Sequence, residues 1–162
     1  MTQDGFRKHR STTQAIHCVR RTMEKAEREG SALHIVLLDW EKAFDKITHS
    51  SLIKTLERFG LPAHILNVVK SLYTHPRFRS RQGQSVSGQY EQHTGIRQGC
   101  PLSPYLFLAV MTAIWKDVHA LLDTYYADGR RTRNSKLIDK LPFTEALYVD
   151  GTVLLGHTRS KS

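Results

Sequence analysis

The sequence predicts an α+β fold, from segments whose apolar residues recur every three or four positions, a branched apolar run too short for a helix, and two apolar runs that meet at Asp150-Gly151. Ser11 and Thr12 offer an N-cap, after which Ile16, Val19, Met23 and Ala26 form the stripe of an amphipathic helix ended by Gly30. The run Ala32 to Leu38 is rich in branched side chains and stops at Asp39, the pattern of a buried strand. Thr48 to Ser51 cap a second helix carrying Leu52, Ile53, Leu56 and Phe59 and closed by Gly60, and Pro62 opens a third with Ile65, Leu66, Val69 and Leu72. From Pro76 to Gly99 the pattern turns to short polar strands punctuated by Gly83, Gly88 and Gly95, and Arg77, Arg79, Arg81 and Arg97 make this a basic hairpin. Pro101, Ser103 and Pro104 lead into a long helix with Leu106, Phe107, Val110, Ile114, Val118 and Leu121, apolar enough for a core. Gly129 to Lys140 is a polar, basic loop, and the runs Ala146 to Val149 and Thr152 to Leu155 then form a hairpin around the Asp-Gly turn.

The 162 residues are 40% hydrophobic and 9% aromatic, enough for a packed core and too apolar for a disordered tail. Lys and Arg number 24 against 15 Asp and Glu, and the resulting charge of +9 favours a polyanionic partner, nucleic acid ahead of an anionic membrane face. Cys18 and Cys100 stand far apart with no Cys or His at metal-ligand spacing, which points away from a zinc site or a disulfide framework. The opening MTQDGFRKHR lacks a signal-peptide core, and the longest apolar run, Tyr105 to Trp115, is too short to span a bilayer. These features predict a soluble, intracellular chain with no membrane partner.

Asp39 ends a strand and Asp150 sits at a hairpin tip, positions from which carboxylates on separate elements could share divalent cations. Asp after a strand and Asp-Gly in a hairpin are also ordinary turn chemistry, so the spacing alone leaves both readings open. Nine histidines are scattered without a ligand cluster, Asp45 reads as a turn or helix-entry cap, and Ser103 as a helix-start residue.

Four segments in order change the weighing: Gly5-Phe6-Arg7-Lys8, Leu38-Asp39-Trp40-Glu41-Lys42-Ala43-Phe44-Asp45, Gly95-Ile96-Arg97-Gln98-Gly99-Cys100-Pro101-Leu102-Ser103-Pro104, and Tyr148-Val149-Asp150-Gly151. Together they resemble the reverse transcriptase domain of non-LTR, LINE-type retrotransposons over nearly the whole chain. The resemblance implies a right-hand polymerase: an antiparallel palm sheet backed by helices, with partial fingers. Residues 1–30 would be a fingers part, 31–60 palm with the first aspartate, 61–95 helices and the basic hairpin, and 96–156 palm with the RQGCPLSP segment and the YVDG hairpin. It implies RNA-templated DNA synthesis, with RNA template, DNA primer, deoxynucleoside triphosphates and two Mg²⁺ ions as ligands. Asp39 and Asp150 would be the catalytic, metal-bridging carboxylates, helped by the Trp40 backbone carbonyl. Phe44 would exclude a ribose 2′-hydroxyl, Gln98 and Gly99 would lie beneath the incoming nucleotide, and Arg7 and Lys8 would contact phosphate, although these two also suit a plain solvated basic surface. Arg77, Arg79, Arg81 and Arg97 would bind nucleic acid.

The family hairpin usually carries two successive aspartates, and here Gly151 follows Asp150. Removing one negative charge beside two divalent cations predicts a folded site with strongly reduced catalysis. A second string, Tyr126-Ala127-Asp128-Gly129, imitates the motif, but the polar, basic Arg130 to Asn134 that follows offers no second strand. Few residues follow the YVDG hairpin, so a truncated domain without a thumb is expected. A noncatalytic nucleic-acid-binding module and an inert relic are the competing readings.

Overall fold

The computed structural model describes residues 2–127 and 145–158. The elements in order are β1 (Thr2–Gln3), α1 (Thr12–Arg28), β2 (Ala32–Leu38), α2 (Ala43–Lys46), α3 (His49–Arg58), α4 (Ala63–Tyr73), β3 (Arg77–Phe78), β4 (Arg81–Gln82), β5 (Ser85–Val86), β6 (Tyr90–Glu91), α5 (Ser103–Ala127), β7 (Glu145–Tyr148) and β8 (Gly151–Thr158). The predicted basic loop Gly129 to Lys140 lies outside the described residues. Of the string that imitates the YVDG motif, Tyr126 and Ala127 close α5, and Asp128 and Gly129 lie outside the described residues.

The chain forms two compact units, one of residues 1–41 with 118–162 and one of residues 42–117. In the first, a four-stranded sheet runs β1-β7-β8-β2, with β1 parallel to β7 and the other pairs antiparallel. β2 pairs with β8 along its whole length, from Ala32 opposite Thr158 to Leu38 opposite Thr152. Helix α1 starts where Ser11 predicts, the Gln14 side chain accepting from the Ser11 N–H at 3.3 Å. It lies along β7 and β2, and the small residues Ala15, Thr22 and Ala26 are the ones buried.

Two expectations fail here for one reason. β2 has the predicted bounds but is not buried: Val36, Leu37 and Leu38 are exposed, Leu37 by 74%. Ile16 and Met23 of the α1 stripe are also exposed. β2 pairs with β8 alone in the sheet, and an apolar pattern records what a strand is made of, not what covers it.

The second unit packs α3 against α4 and holds α5 up to Asp117. Thr48 caps α3 as predicted, its hydroxyl oxygen accepting from the Ser51 N–H at 3.2 Å. The core contains Leu52, Leu56, Leu66, Val69, Tyr73, Ile96, Leu106 and Phe107, while Phe59 and Ile65 of the expected stripes are exposed. Arg58 on α3 makes a two-pronged pair with Asp117 on α5, one prong at 2.7 Å.

The predicted basic hairpin is an interrupted two-stranded ribbon. β3 pairs with β6 and β4 with β5, and Gly83 takes φ +60 in the tip between Gln82 and Ser85. Between the paired stretches Arg79 and Ser80 oppose Ser87, Gly88 and Gln89, the two-against-three count of a bulge.

α5 is longer than its apolar run. It continues past Lys116 and Asp117, so Ser103–Thr124 is long and apolar enough to cross a bilayer by length and composition, contrary to the expectation drawn from Tyr105 to Trp115. Leu106, Phe107, Val110, Met111, Ala113 and Trp115 are buried in the protein, about a third of the apolar span being covered, whereas Leu121, expected in the core, is exposed by 70%.

Candidate functional site

In the first unit the sheet brings the two predicted carboxylates to one end. The β2–β8 ladder finishes at Leu38 opposite Thr152, so Asp39 leaves the sheet beside Gly151, next to Asp150 in the chain. Both aspartates line one apolar groove of about 560 Å³, floored by Leu37, Leu38 and the β7–β8 hairpin and walled by Ile16, Val19 and Met23 of α1. Asp39 is exposed and Asp150 half-buried. Among the described residues no third His, Cys, Asp or Glu joins them in a cluster able to hold a metal ion. The donors fit a divalent cation in kind, being hard oxygens just beyond the ends of neighbouring strands with the Trp40 carbonyl next in the chain, but they fall short of two cations in charge. Thr152, 2% exposed on the same groove, keeps a hydroxyl without a hydrogen-bond partner among the described residues.

The hairpin turn is one residue earlier than the Asp-Gly signal predicts. Tyr148 pairs with Gly151, which leaves Val149 and Asp150 as the loop, and the left-handed residue is Val149 at φ +58. Positive φ at the first loop position alone suits glycine, and a β-branched residue there is strained. Gly151 itself belongs to β8, and a Cβ on it would meet the Tyr148 carbonyl oxygen at 3.4 Å, an ordinary contact. A Cβ therefore fits at 151 without moving the backbone.

Arg7 and Lys8 are exposed in the segment between Asp4 and α1. That segment is held by the buried Asp4, whose N–H donates to the Leu147 carbonyl at 2.8 Å and whose carboxylate lies 3.5 Å from the Arg10 guanidinium. Phe6 and His9 take positive φ on either side of the two basic residues.

In the second unit the structure gives Phe44, Gln98 and Gly99 surroundings that no local sequence pattern marks. The Ile96 N–H donates to the Phe44 carbonyl at 2.8 Å and the Gly95 N–H to the Ile47 carbonyl at 2.7 Å, so the glycine-rich segment is laced to α2. Gly95, at φ +93, would place a Cβ 3.0 Å from the Asp45 Cα, a contact only glycine avoids. At Gly99 the angle alone, φ +83, requires glycine, since nothing lies within 4 Å. The Phe44 ring stacks on the buried Phe107 at 4.2 Å between centroids and 8° between planes. Asp45 is not a helix-entry cap, because Lys42 holds that position; its carboxylate accepts from Gln98 Nε2 at 3.1 Å. Ser103 starts α5 as expected, and its buried hydroxyl also donates to the Arg97 carbonyl. The signal for Asp45 and Ser103 was their place within the two longest motif strings; nothing local marked their partners.

Arg77, Arg79, Arg81 and Arg97 are all exposed, and Arg81 donates to the Gly83 carbonyl at 3.3 Å. Glu91 on β6 is bonded to His75 at 2.9 Å, and that hydrogen bond holds its carboxyl below the usual range.

The same fold occurs in telomerase from Candida albicans in complex with the TWJ fragment of telomeric RNA, with a TM-score of 0.59 at 15% identity over 91% of this chain and 26% of that one. The fold is thus the α+β palm of a right-hand polymerase. The family model described as reverse transcriptase (RNA-dependent DNA polymerase) matches residues 1–160, and the chain belongs to that family. It is 34% identical over 92 residues, 57% of its length, to the Pol polyprotein of retrotransposable element R2 from Nasonia vitripennis. It is 32% identical over 111 residues, 68% of its length, to the probable RNA-directed DNA polymerase from transposon BS of Drosophila melanogaster. The matched segments cover 9% and 12% of those two relatives.

Proposed function

We propose that the chain is part of the polymerising core of a retrotransposon reverse transcriptase, directing RNA-templated DNA synthesis from a DNA primer, with catalysis greatly reduced by Gly151. The observation that carries the reading is the β2–β8 register, which supports Asp39 and Asp150 as partners at one sheet end. Asp39, the Trp40 carbonyl and Asp150 would hold Mg²⁺. Two such ions, when bound, supply activation of the primer 3′-hydroxyl and neutralise charge on the departing pyrophosphate. Phe44, backed by Phe107, offers a fixed wall against a ribose 2′-hydroxyl, which favours deoxynucleoside triphosphates. Gln98, steadied by Asp45, and the open backbone at Gly99 would lie under the nucleotide. Arg7 and Lys8 would meet its phosphates, and Arg77, Arg79, Arg81 and Arg97 the template or primer strand.

A second reading is a nucleic-acid-binding module without catalysis, which would share the basic residues and need no third carboxylate beside Asp39 and Asp150. Mg²⁺-dependent primer extension on an RNA template, by this chain and by Gly151→Asp, separates them. Extension that appears or rises at least tenfold in Gly151→Asp supports the polymerase reading. RNA binding without extension by either protein selects the binding module.

A further inference from the structure

We propose that the β3–β6 ribbon is a stacking platform for single-stranded nucleic acid, with bases lying on Phe78 and Tyr90 and phosphates meeting Arg77 and Arg79. The inference rests on the nucleic-acid reading above and assigns that reading a binding subsite. Phe78 and Tyr90 face each other directly across the two strands, with ring centroids 5.8 Å apart and planes tilted by 32°. They are 53% and 56% exposed, and Val86, the other large apolar residue of the ribbon, is exposed too. Aromatic rings of this size are usually covered, and among the described residues no second layer covers this two-stranded ribbon.

The surroundings identify the occupant. Arg77 and Arg79 bracket Phe78 in the chain, Arg81 follows on β4, and the acidic residue of the ribbon, Glu91, is engaged by His75. Strand alternation sets Arg77 and Arg79 on the pleat opposite Phe78, but strands about 5 Å apart leave a ribbon narrow enough for arginine stems to reach round its edge. Exposed π-faces in a cationic rim suit a chain of flat, apolar rings joined by anions. A single strand offers such faces, whereas a duplex hides them in its own stack.

Binding of a 12-nucleotide single-stranded RNA containing 2-aminopurine tests the platform, read by anisotropy for affinity and by quenching for stacking. Phe78→Leu and Tyr90→Val keep an apolar cross-strand contact and remove the π-face; each should weaken binding at least about fivefold and relieve the quenching, with the salt slope unchanged. Phe78→Tyr should bind like the parent, and Arg79→Ala should keep the quenching while lowering the salt slope by about one. Parent-like affinity and quenching in the Leu and Val variants would overturn the platform and leave the nucleic-acid reading standing. Failure of the parent to bind RNA at all would overturn both. Equal affinity for a blunt duplex of the same length would overturn the platform's single-strand preference.

Discussion

The carboxylate end of the sheet and the segment around Gly95 are built to different standards. Gly95, Ile96 and Gln98 are tied by backbone and side-chain hydrogen bonds to Phe44, Asp45 and Ile47, with the stacked ring of Phe107 beneath. Asp39 and Asp150 share a strand register and an open groove, with no third carboxylate beside them among the described residues. One region is fixed by packing, where loss of any part disturbs the rest; the other depends on charge, which substitution can remove without touching the fold. A change within the cluster costs packing, whereas a Cβ added at 151 meets only an ordinary contact with the Tyr148 carbonyl.

Phe107→Ala is the strongest way to break this contrast. The ring is fully buried, and its loss should cost about 3–5 kcal/mol by thermal unfolding. A loss below about 1 kcal/mol would show that the cluster is not fixed by packing. Gly95→Ala should follow, at about 1–3 kcal/mol, since it meets both the left-handed angle and the Asp45 backbone. At the other region the sign reverses: Val149→Gly relieves a β-branched residue at φ +58 and should raise stability by up to about 1 kcal/mol, set against the entropy glycine adds to the unfolded chain.

The smallest effect is that of pH. Hydrogen bonds from Arg58 and His75 hold the Asp117 and Glu91 carboxyls below their ordinary values. Groups with folded values lowered in this way stabilise the fold above the ordinary carboxylate range and lose that contribution as pH falls through and below it. Both are exposed, so the drop in melting temperature on acidification should be slight and shrink with salt. Asp117→Asn should flatten part of the drop; an unchanged pH profile in that variant would assign the acid sensitivity elsewhere.

Much of the fold was legible because local signals agreed with tertiary structure. Ser11 and Thr48 cap α1 and α3, and β2 spans the run Ala32–Leu38 that its branched residues mark. β1 and α2 were illegible, a two-residue strand and a single helical turn being too short for periodicity. The exposure of β2 and of Ile16 was hidden because apolar pattern does not say which neighbour is present. At the site, the motif strings mark positions, but the bond from Gln98 to Asp45 joins residues 53 apart and emerges only from the folded chain. The hairpin turns one residue before the Asp-Gly signal, because Tyr148 pairs with Gly151 and Val149 takes the left-handed turn position, which a β-branched residue rarely adopts.

Mn²⁺ binding followed by water-proton relaxation tests most directly the claim that the carboxylate end is intact in position and deficient in charge. Binding should be weak in this chain, at least about tenfold tighter in Gly151→Asp as an added carboxylate would require, and lost in Gly151→Asp combined with Asp39→Asn. Equal binding by the chain and by Gly151→Asp, or binding indifferent to Asp39, would contradict the account.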